Sequence, residues 1–281
     1  MTQRIGIIGS GIMGAGIAQI AAQNGYEVIL VDVGQDQLDR AVQRITAALE
    51  RGVQRGFVEE SVKDAAIKNI QTTLSLEEGA QAPLIIENIW EEQGPKEELL
   101  KKLDQLAPAE SILASNTSTI PITELATATT RPEKVIGMHF FNPPYAMNLV
   151  EVVKGYHTSE ETLQYIVQIT ESLGKRPVIM TDSAGFVVNR LIAPFLNEAT
   201  FLLQEGVATK EDIDECVRSG LNHPMGPFQL MDLVGLDITL HEISSVFART
   251  GDSKYRPSQL LKRMVAAGQL GRKTGKGWYE Y

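Results

Sequence analysis

The 281-residue chain has one cysteine, Cys216, and four histidines, none of them in H-x-x-x-H spacing. A single cysteine excludes an internal disulfide and any cysteine-based metal site. The scattered histidines supply no metal site either. Excess positive charge is also missing: 26 Lys and Arg stand against 35 Asp and Glu, a formal charge of −9. A nucleic-acid groove wants a basic stripe, so that partner class is set aside. No run approaches the ~18 apolar residues of a membrane span. The opening MTQRIGIIGSGIMG shows no charged leader, apolar signal core or cleavage site, and the expectation is a cytoplasmic protein. There is no internal repeat and no low-complexity segment. What is there is ordinary for a globular chain: 43% hydrophobic and 22% charged residues. That is enough for a sizeable core in one or two domains of ~100–200 residues each.

The apolar run Ile5–Ile8 ends in glycines. Small and apolar residues then recur at helical spacing from Ile12 to Asn24, and EVILVDV at 27–33 reads as a buried strand. This is a βαβ unit with parallel strands. Helical patterns at 35–56 and 59–68 form a hairpin projecting from the sheet. Further strands are expected at 84–86, 112–114, 135–138, 149–153 and 178–180. Helices are expected at 95–106 and 160–173. From about residue 184 helices dominate, at 186–205, 210–219, 237–249 and 257–267. The expectation is an α/β, Rossmann-type doubly wound domain over 1–184, followed by an all-helical domain over 185–281.

Gly9-Ser10-Gly11-Ile12-Met13-Gly14 matches G-x-G-x-x-G between a strand and a helix, the context that gives the pattern meaning. Gly9 permits the tight turn. Gly11 lets a pyrophosphate reach the backbone, and Gly14 lets the helix pack on the sheet. The helix start at Ile12 and Met13 offers N–H groups and a positive dipole end. Asp32, at the end of the second strand, can accept hydrogen bonds from both ribose hydroxyls and would repel a 2′-phosphate. The pattern therefore favours NAD over NADP.

His139 follows the expected strand 135–138, at the strand's carboxyl end, where a doubly wound sheet places its ligands. His139-Phe140-Phe141-Asn142-Pro143-Pro144 suits a dry, stiff wall. Glu151 sits inside the apolar LVEVV, where a carboxylate needs a partner. An imidazole would satisfy it and have its tautomer fixed in return. Such a pair suits alcohol oxidation, which removes a hydride from carbon and a proton from oxygen. Taken singly, His139 could be a wall histidine and Glu151 a residue of an edge strand. His157 reads as solvated, and His223 and His241 as structural. The cluster Ser115–Thr119 is either a turn and N-cap device or a set of hydroxyls and amides for a ligand. Asn189, on an otherwise apolar helix face, is either solvated or held in a cleft.

These residues carry a resemblance. GIIGSGIMGAGIA at 6–18, SNTST at 115–119 and RPEKVIGMHFFNPPYAMNLVEVV at 131–153 resemble the L-3-hydroxyacyl-CoA dehydrogenase family. So do GFVVNR at 185–190, KEDID at 210–214, HPMGPFQLMDLVGLD at 223–237 and RKTGKGWYEY at 272–281. The similarity runs end to end and is nearest the stand-alone bacterial 3-hydroxybutyryl-CoA members. It implies reversible oxidation of (S)-3-hydroxyacyl-CoA with NAD, in fatty-acid or butanoate metabolism, and a homodimer formed through the helical domain. It implies His139 as general acid/base, Glu151 as its orienting partner, and Ser118 and Asn189 as residues positioning the substrate oxygens. Glu91 and Lys96 would line the nicotinamide ribose, with Asn116 and Asn142 near the nicotinamide. The hairpin, with Lys68, would carry the CoA tail. In Glu87-Asn88-Ile89-Trp90-Glu91 only the two glutamates follow the family's E-A-x-x-E, and Gly94-Pro95 is expected to interrupt the helix start.

Two alternatives stand beside this. One is a same-fold dehydrogenase of a small 3-hydroxy acid or carnitine-like alcohol without CoA. The other is a dinucleotide-binding module without catalysis. Arg51, Arg55, Lys63 and Lys68 on the hairpin favour a CoA substrate, and the His139–Glu151 pair speaks against a mere sensor.

Overall fold

The computed structural model describes residues 3–281. The chain divides into two compact units, Met1–Asp182 and Ser183–Tyr281. The first contains strands β1 (Arg4–Ile8), β2 (Glu27–Val31), β3 (Ile70–Thr73), β4 (Leu84–Glu87), β5 (Ile112–Ser115), β6 (Val135–Phe140), β7 (Leu149–Lys154) and β8 (Arg176–Thr181). Its helices are α1 (Ile12–Gln23), α2 (Gln35–Gln54), α3 (Glu60–Lys68), α4 (Leu76–Ala80), α5 (Gln93–Leu106), α6 (Ile122–Ala126) and α7 (Glu160–Ser172).

The strands form one sheet in the order β3-β2-β1-β4-β5-β6-β7-β8. All neighbours are parallel except β6 and β7. A parallel return needs a crossover of about a dozen residues or more. The connection from Phe141 to Asn148 is shorter than that, so β7 comes back antiparallel. β8 then pairs parallel with β7, through the crossover helix α7. Glu151 therefore lies on an interior strand, not an edge.

Alternation sorts the sheet's side chains. Ile5 and Ile7, Val28 and Leu30, Leu84 and Ile86, Ile136 and Met138, and Val150 and Val152 share a core with Ile17 of α1, Leu38, Ile45 and Leu49 of α2, and Ile166 of α7. On the opposite face the register runs Glu87↔Ser115↔Gly137, with His139 two residues beyond and opposite Glu151. Four polar side chains thus share one face near one end of the sheet. The α2–α3 hairpin buries Leu38, Ala41, Ile45, Leu49 and Ala66, while Phe57 at its tip is 82% exposed.

Several expectations change. The expected strand 135–138 extends to Phe140, so His139 lies within it rather than after it. Helix α5 starts at Gln93 and runs through Gly94 and Pro95 without interruption. Proline is tolerated in a first turn because its missing N–H has no partner there anyway. Strand β3 and the short helices α4 and α6 were not foreseen.

The second unit holds α8 (Val188–Gln204), α9 (Lys210–Leu221), α10 (Pro227–Val234), α11 (Leu236–Thr250) and α12 (Gln259–Ala266). Leu196, Ile213, Phe228, Met231, Leu236, Ile243, Val246, Leu261 and Trp278 form its core. Helix α10, also unforeseen, is parted from α11 only by Gly235, whose φ of +111° suits glycine alone. Two buried aspartates fasten the C-terminal segment. Asp232 accepts from Trp278 N (2.9 Å), Tyr279 N (2.8 Å) and Tyr281 Oη (3.1 Å). Asp214 accepts from Phe228 N (2.8 Å), Gln229 N (3.2 Å) and Tyr279 Oη (2.7 Å).

Candidate active site

The glycines of the first turn separate by cause. At Gly9, φ is +100°, and a Cβ would press on the Asn88 backbone; at Gly14 it would strike the Gly9 carbonyl. The chain's own packing therefore demands both. A Cβ on Gly11 would meet nothing within 4 Å. The room at Gly11 serves something outside the chain, and the helix behind it starts without a side-chain cap. Ile12 is exposed there and Met13 half-buried. Beside the turn, the Asn88 Oδ1 acceptor is buried with no partner. The open space at Gly11 and the uncapped helix start fit a dinucleotide pyrophosphate.

Asp32 lies just past β2 and is already tied to this turn. Its Oδ2 accepts from Ser10 N (2.7 Å) and Ser10 Oγ (2.6 Å), and its Oδ1 from Val33 N (2.7 Å). A carboxylate offers about four acceptor sites. Of the donors bound here, the Ser10 hydroxyl is the one able to rotate away for a ribose hydroxyl. The acid therefore orders the turn and keeps acceptor capacity for a ribose.

Across β6 and β7, His139 Nδ1 lies 2.7 Å from Glu151 Oε2. The two residues are direct cross-strand partners, so the backbone ladder sets their distance. His139 is 6% exposed and Glu151 1%. The Phe141 ring packs 4.5 Å from the imidazole centroid. A buried carboxylate accepting Nδ1–H orients the ring and directs Nε2 to proton exchange.

A second buried group lies at the ends of β4 and β5. Lys96 Nζ is 2.6 Å from Glu87 Oε1, 3.2 Å from the Ile89 carbonyl and 3.4 Å from Glu91 Oε2. Glu87 also accepts from Ile89 N (2.7 Å) and Ser115 Oγ (2.6 Å). Glu91 Oε1 gathers Thr117 Oγ1 (2.6 Å), Ser118 N (2.8 Å), Ser118 Oγ (3.1 Å), Thr119 N (3.0 Å) and Thr119 Oγ1 (3.2 Å). Burial works against the Glu91 charge. The Lys96 ammonium and the loop's donors outweigh it and hold this carboxyl below its usual range.

The first unit thus brings Glu91, Lys96 and Ser118 into one network and His139 and Glu151 into one pair. Asn116 Oδ1 accepts from Phe140 N at 2.7 Å, joining the loop after β5 to the end of β6. Asn142 is exposed at the start of the β6–β7 connection, and Lys68 is exposed in the last turn of α3. Lys63 is paired with Glu60 and Asp64. Asn189 is buried in the first turn of α8, in the second unit. His157 is exposed; so are His223 and His241, for which a structural place was expected. Sequence reasoning gave Glu87 no role of its own and weighed Ser115 only within the 115–119 cluster. The signal was present: each is a polar last residue of an otherwise apolar buried strand.

Among the described residues, no group of three His, Cys, Asp or Glu side chains is arranged for a metal, and no helix is long and apolar enough to cross a membrane.

The chain is similar to known proteins along its length. The chain is 47% identical over 278 residues to a probable 3-hydroxybutyryl-CoA dehydrogenase of Deinococcus radiodurans, covering 99% of this chain and 100% of that one. It is 42% identical to the 3-hydroxybutyryl-CoA dehydrogenase of Clostridioides difficile, covering 99% of both chains. The crystal structure of (S)-3-hydroxybutyryl-CoA dehydrogenase PaaH1 from Ralstonia eutropha superposes with a TM-score of 0.95 at 40% identity, covering 100% of this chain and 99% of that one. The NAD binding domain of 3-hydroxyacyl-CoA dehydrogenase matches residues 4–183, and the family's C-terminal domain matches 185–281. With both halves matched in order along almost its whole length, the chain belongs to the 3-hydroxyacyl-CoA dehydrogenase family.

Proposed function

We propose that the protein interconverts (S)-3-hydroxyacyl-CoA and 3-ketoacyl-CoA with NAD, on short acyl chains of the 3-hydroxybutyryl kind. The observation that carries this is the buried His139–Glu151 pair, 2.7 Å apart on one rung of the β6–β7 ladder.

Gly9, Gly11, Ile12, Met13 and Gly14 hold the pyrophosphate of NAD, and Asp32 the adenosine ribose. Glu91, Lys96, Asn116 and Asn142 serve the nicotinamide end. Bound NAD supplies the hydride acceptor for the carbinol carbon. His139 accepts the alcohol proton at Nε2 in oxidation and returns it to the carbonyl oxygen in reduction. Glu151 keeps Nδ1 protonated and stabilises the imidazolium once it forms. Phe141 and the apolar strands keep water from the pair. Ser118, tied to Glu91, positions the substrate oxygen, and the family resemblance gives Asn189 the same role. The α2–α3 hairpin and Lys68 carry the CoA tail.

Exposed apolar side chains on the helical unit, Leu191 at 69% and Leu233 at 48% among them, support a homodimer through it. We read the enzyme as cytoplasmic; among the described residues no helix is long and apolar enough to cross a membrane. Light scattering that returns the monomer mass at working concentration would remove the dimer.

The test of function is NADH consumption by the purified protein with acetoacetyl-CoA, run beside free acetoacetate. Turnover of the thioester alone supports the CoA reading. Equal turnover of free acetoacetate replaces it with a small-acid dehydrogenase. NADH binding without turnover of either leaves a binding module.

A further inference from the structure

The strand order reverses between β1 and β4, which is where a doubly wound sheet opens its ligand crevice. A dinucleotide lying from the Gly9–Gly14 turn on β1 toward His139 on β6 must cross the carboxyl ends of β4 and β5. Glu87, Glu91, Lys96 and Ser115 occupy that crossing.

The charges there do not cancel. Lys96 supplies one ammonium, shared between two carboxylates, those of Glu87 and Glu91. Lys96 and Glu87 have 1% and 0% of their side-chain surface exposed. Ser115, Thr117, Ser118 and Thr119 add neutral donors only. His139 and Glu151 form a further pair on the same sheet face, with no Lys or Arg in it. Nicotinamide is cationic when oxidised and neutral when reduced. Fixed negative charge beside it acts on one form and not the other, and water screens buried charge weakly.

We propose that the Glu87–Lys96–Glu91 cluster, with its uncompensated negative charge, biases the site toward the oxidised cofactor, and that Glu87 is the positioning residue that maintains it. Glu87 acts through Lys96, Ile89 and Ser115 rather than by touching the cofactor. The inference rests on the reading of His139 as the group facing the nicotinamide. Its test needs no substrate, so it can fail independently of the assigned reaction.

The experiment measures the dissociation constants of NAD+ and NADH in binary complexes, by calorimetry and by NADH fluorescence, for wild type, Glu87→Gln and Ser115→Ala. Glu87→Gln removes one charge at nearly constant volume. The ratio of the NAD+ to the NADH constant should rise about three- to tenfold, the range expected for one charge at partly screened distance. Ser115→Ala removes a neutral donor and should leave the ratio unchanged, even if both constants move. Parallel movement of both constants in Glu87→Gln, or no movement, overturns the proposal. If circular dichroism shows Glu87→Gln unfolded, Glu91→Gln removes a charge from the same cluster. The same rise in ratio is then expected, and its absence is equally decisive.

Discussion

Both units bury carboxylates, but they satisfy them differently. In the sheet unit Glu87 and Glu91 share the Lys96 ammonium, and Glu151 faces His139. In the helical unit Asp214 and Asp232 accept only backbone N–H groups and tyrosine hydroxyls. Neutral donors there fasten a helix start and a chain end. A buried acid held against a titratable base, at the end of a strand, can take part in moving a proton. Burial of an acid therefore does not mark chemistry by itself; its partner does.

The largest test of this contrast is His139→Gln. It should lower the rate of acetoacetyl-CoA reduction by ~10²–10⁴-fold, the usual worth of a general acid/base, with the NADH dissociation constant nearly unchanged. An equal rate in the variant would move the acid/base elsewhere. Next is Glu151→Gln, whose amide oxygen can still orient the ring but brings no charge to an imidazolium. A loss of about ten- to a hundredfold in kcat, with little change in KM, is expected in steady-state assays.

Asp232→Ala should behave oppositely. It strands Trp278 N, Tyr279 N and the Tyr281 hydroxyl, and should cost about 2–4 kcal/mol of stability in denaturant titration. NADH affinity below the transition should be retained. A loss of NADH affinity as large as the loss of stability would blur the division between the two kinds of acid.

The smallest expected effect concerns pH. Glu91 is held below the ordinary 4.5 despite its burial. Its contribution to stability is present above that value and lost as pH falls through the lowered one. Asp214 is raised from 3.8, mainly by burial. It binds its proton more tightly when folded, so its contribution declines as pH rises from about 3.8 upward. Unfolding free energies between pH 3 and 7 should show the acid-side loss shrinking in Glu91→Gln and growing in Asp214→Asn. Parallel changes in the two variants would remove this part of the contrast.

Much of this was legible in the residues. The glycine turn with Asp32 signalled a dinucleotide because glycine spacing records how close a ligand comes to the backbone. His139 and Glu151 stood out as polar groups among apolar neighbours. The end of β6 was less visible: HFFNPP looks like a break, yet pairing with β7 carries the ladder on to Phe140. Strand β3, Ile-Gln-Thr-Thr, lies at the sheet's edge and has no apolar run to betray it. Helix α10 hides among Pro224, Gly226 and Pro227, which read as a turn until the Asp214 carboxylate is seen receiving the helix's first N–H groups. The network around Glu91 depends on a contact between two loops, and no local pattern announces such a contact.

The rung that joins residues 139 and 151 has a consequence for how this protein can vary. Beyond Phe141 and Asn142, the turn between β6 and β7 can be lengthened or re-sequenced without disturbing the couple, because the spacing is measured across the ladder and not along the chain. Dropping one residue between Leu149 and Glu151, with the pairing otherwise kept, would bring a valine opposite the imidazole and turn the carboxylate through the sheet toward the core under α1. Natural or engineered diversity is thus open in the turn and closed within the strand.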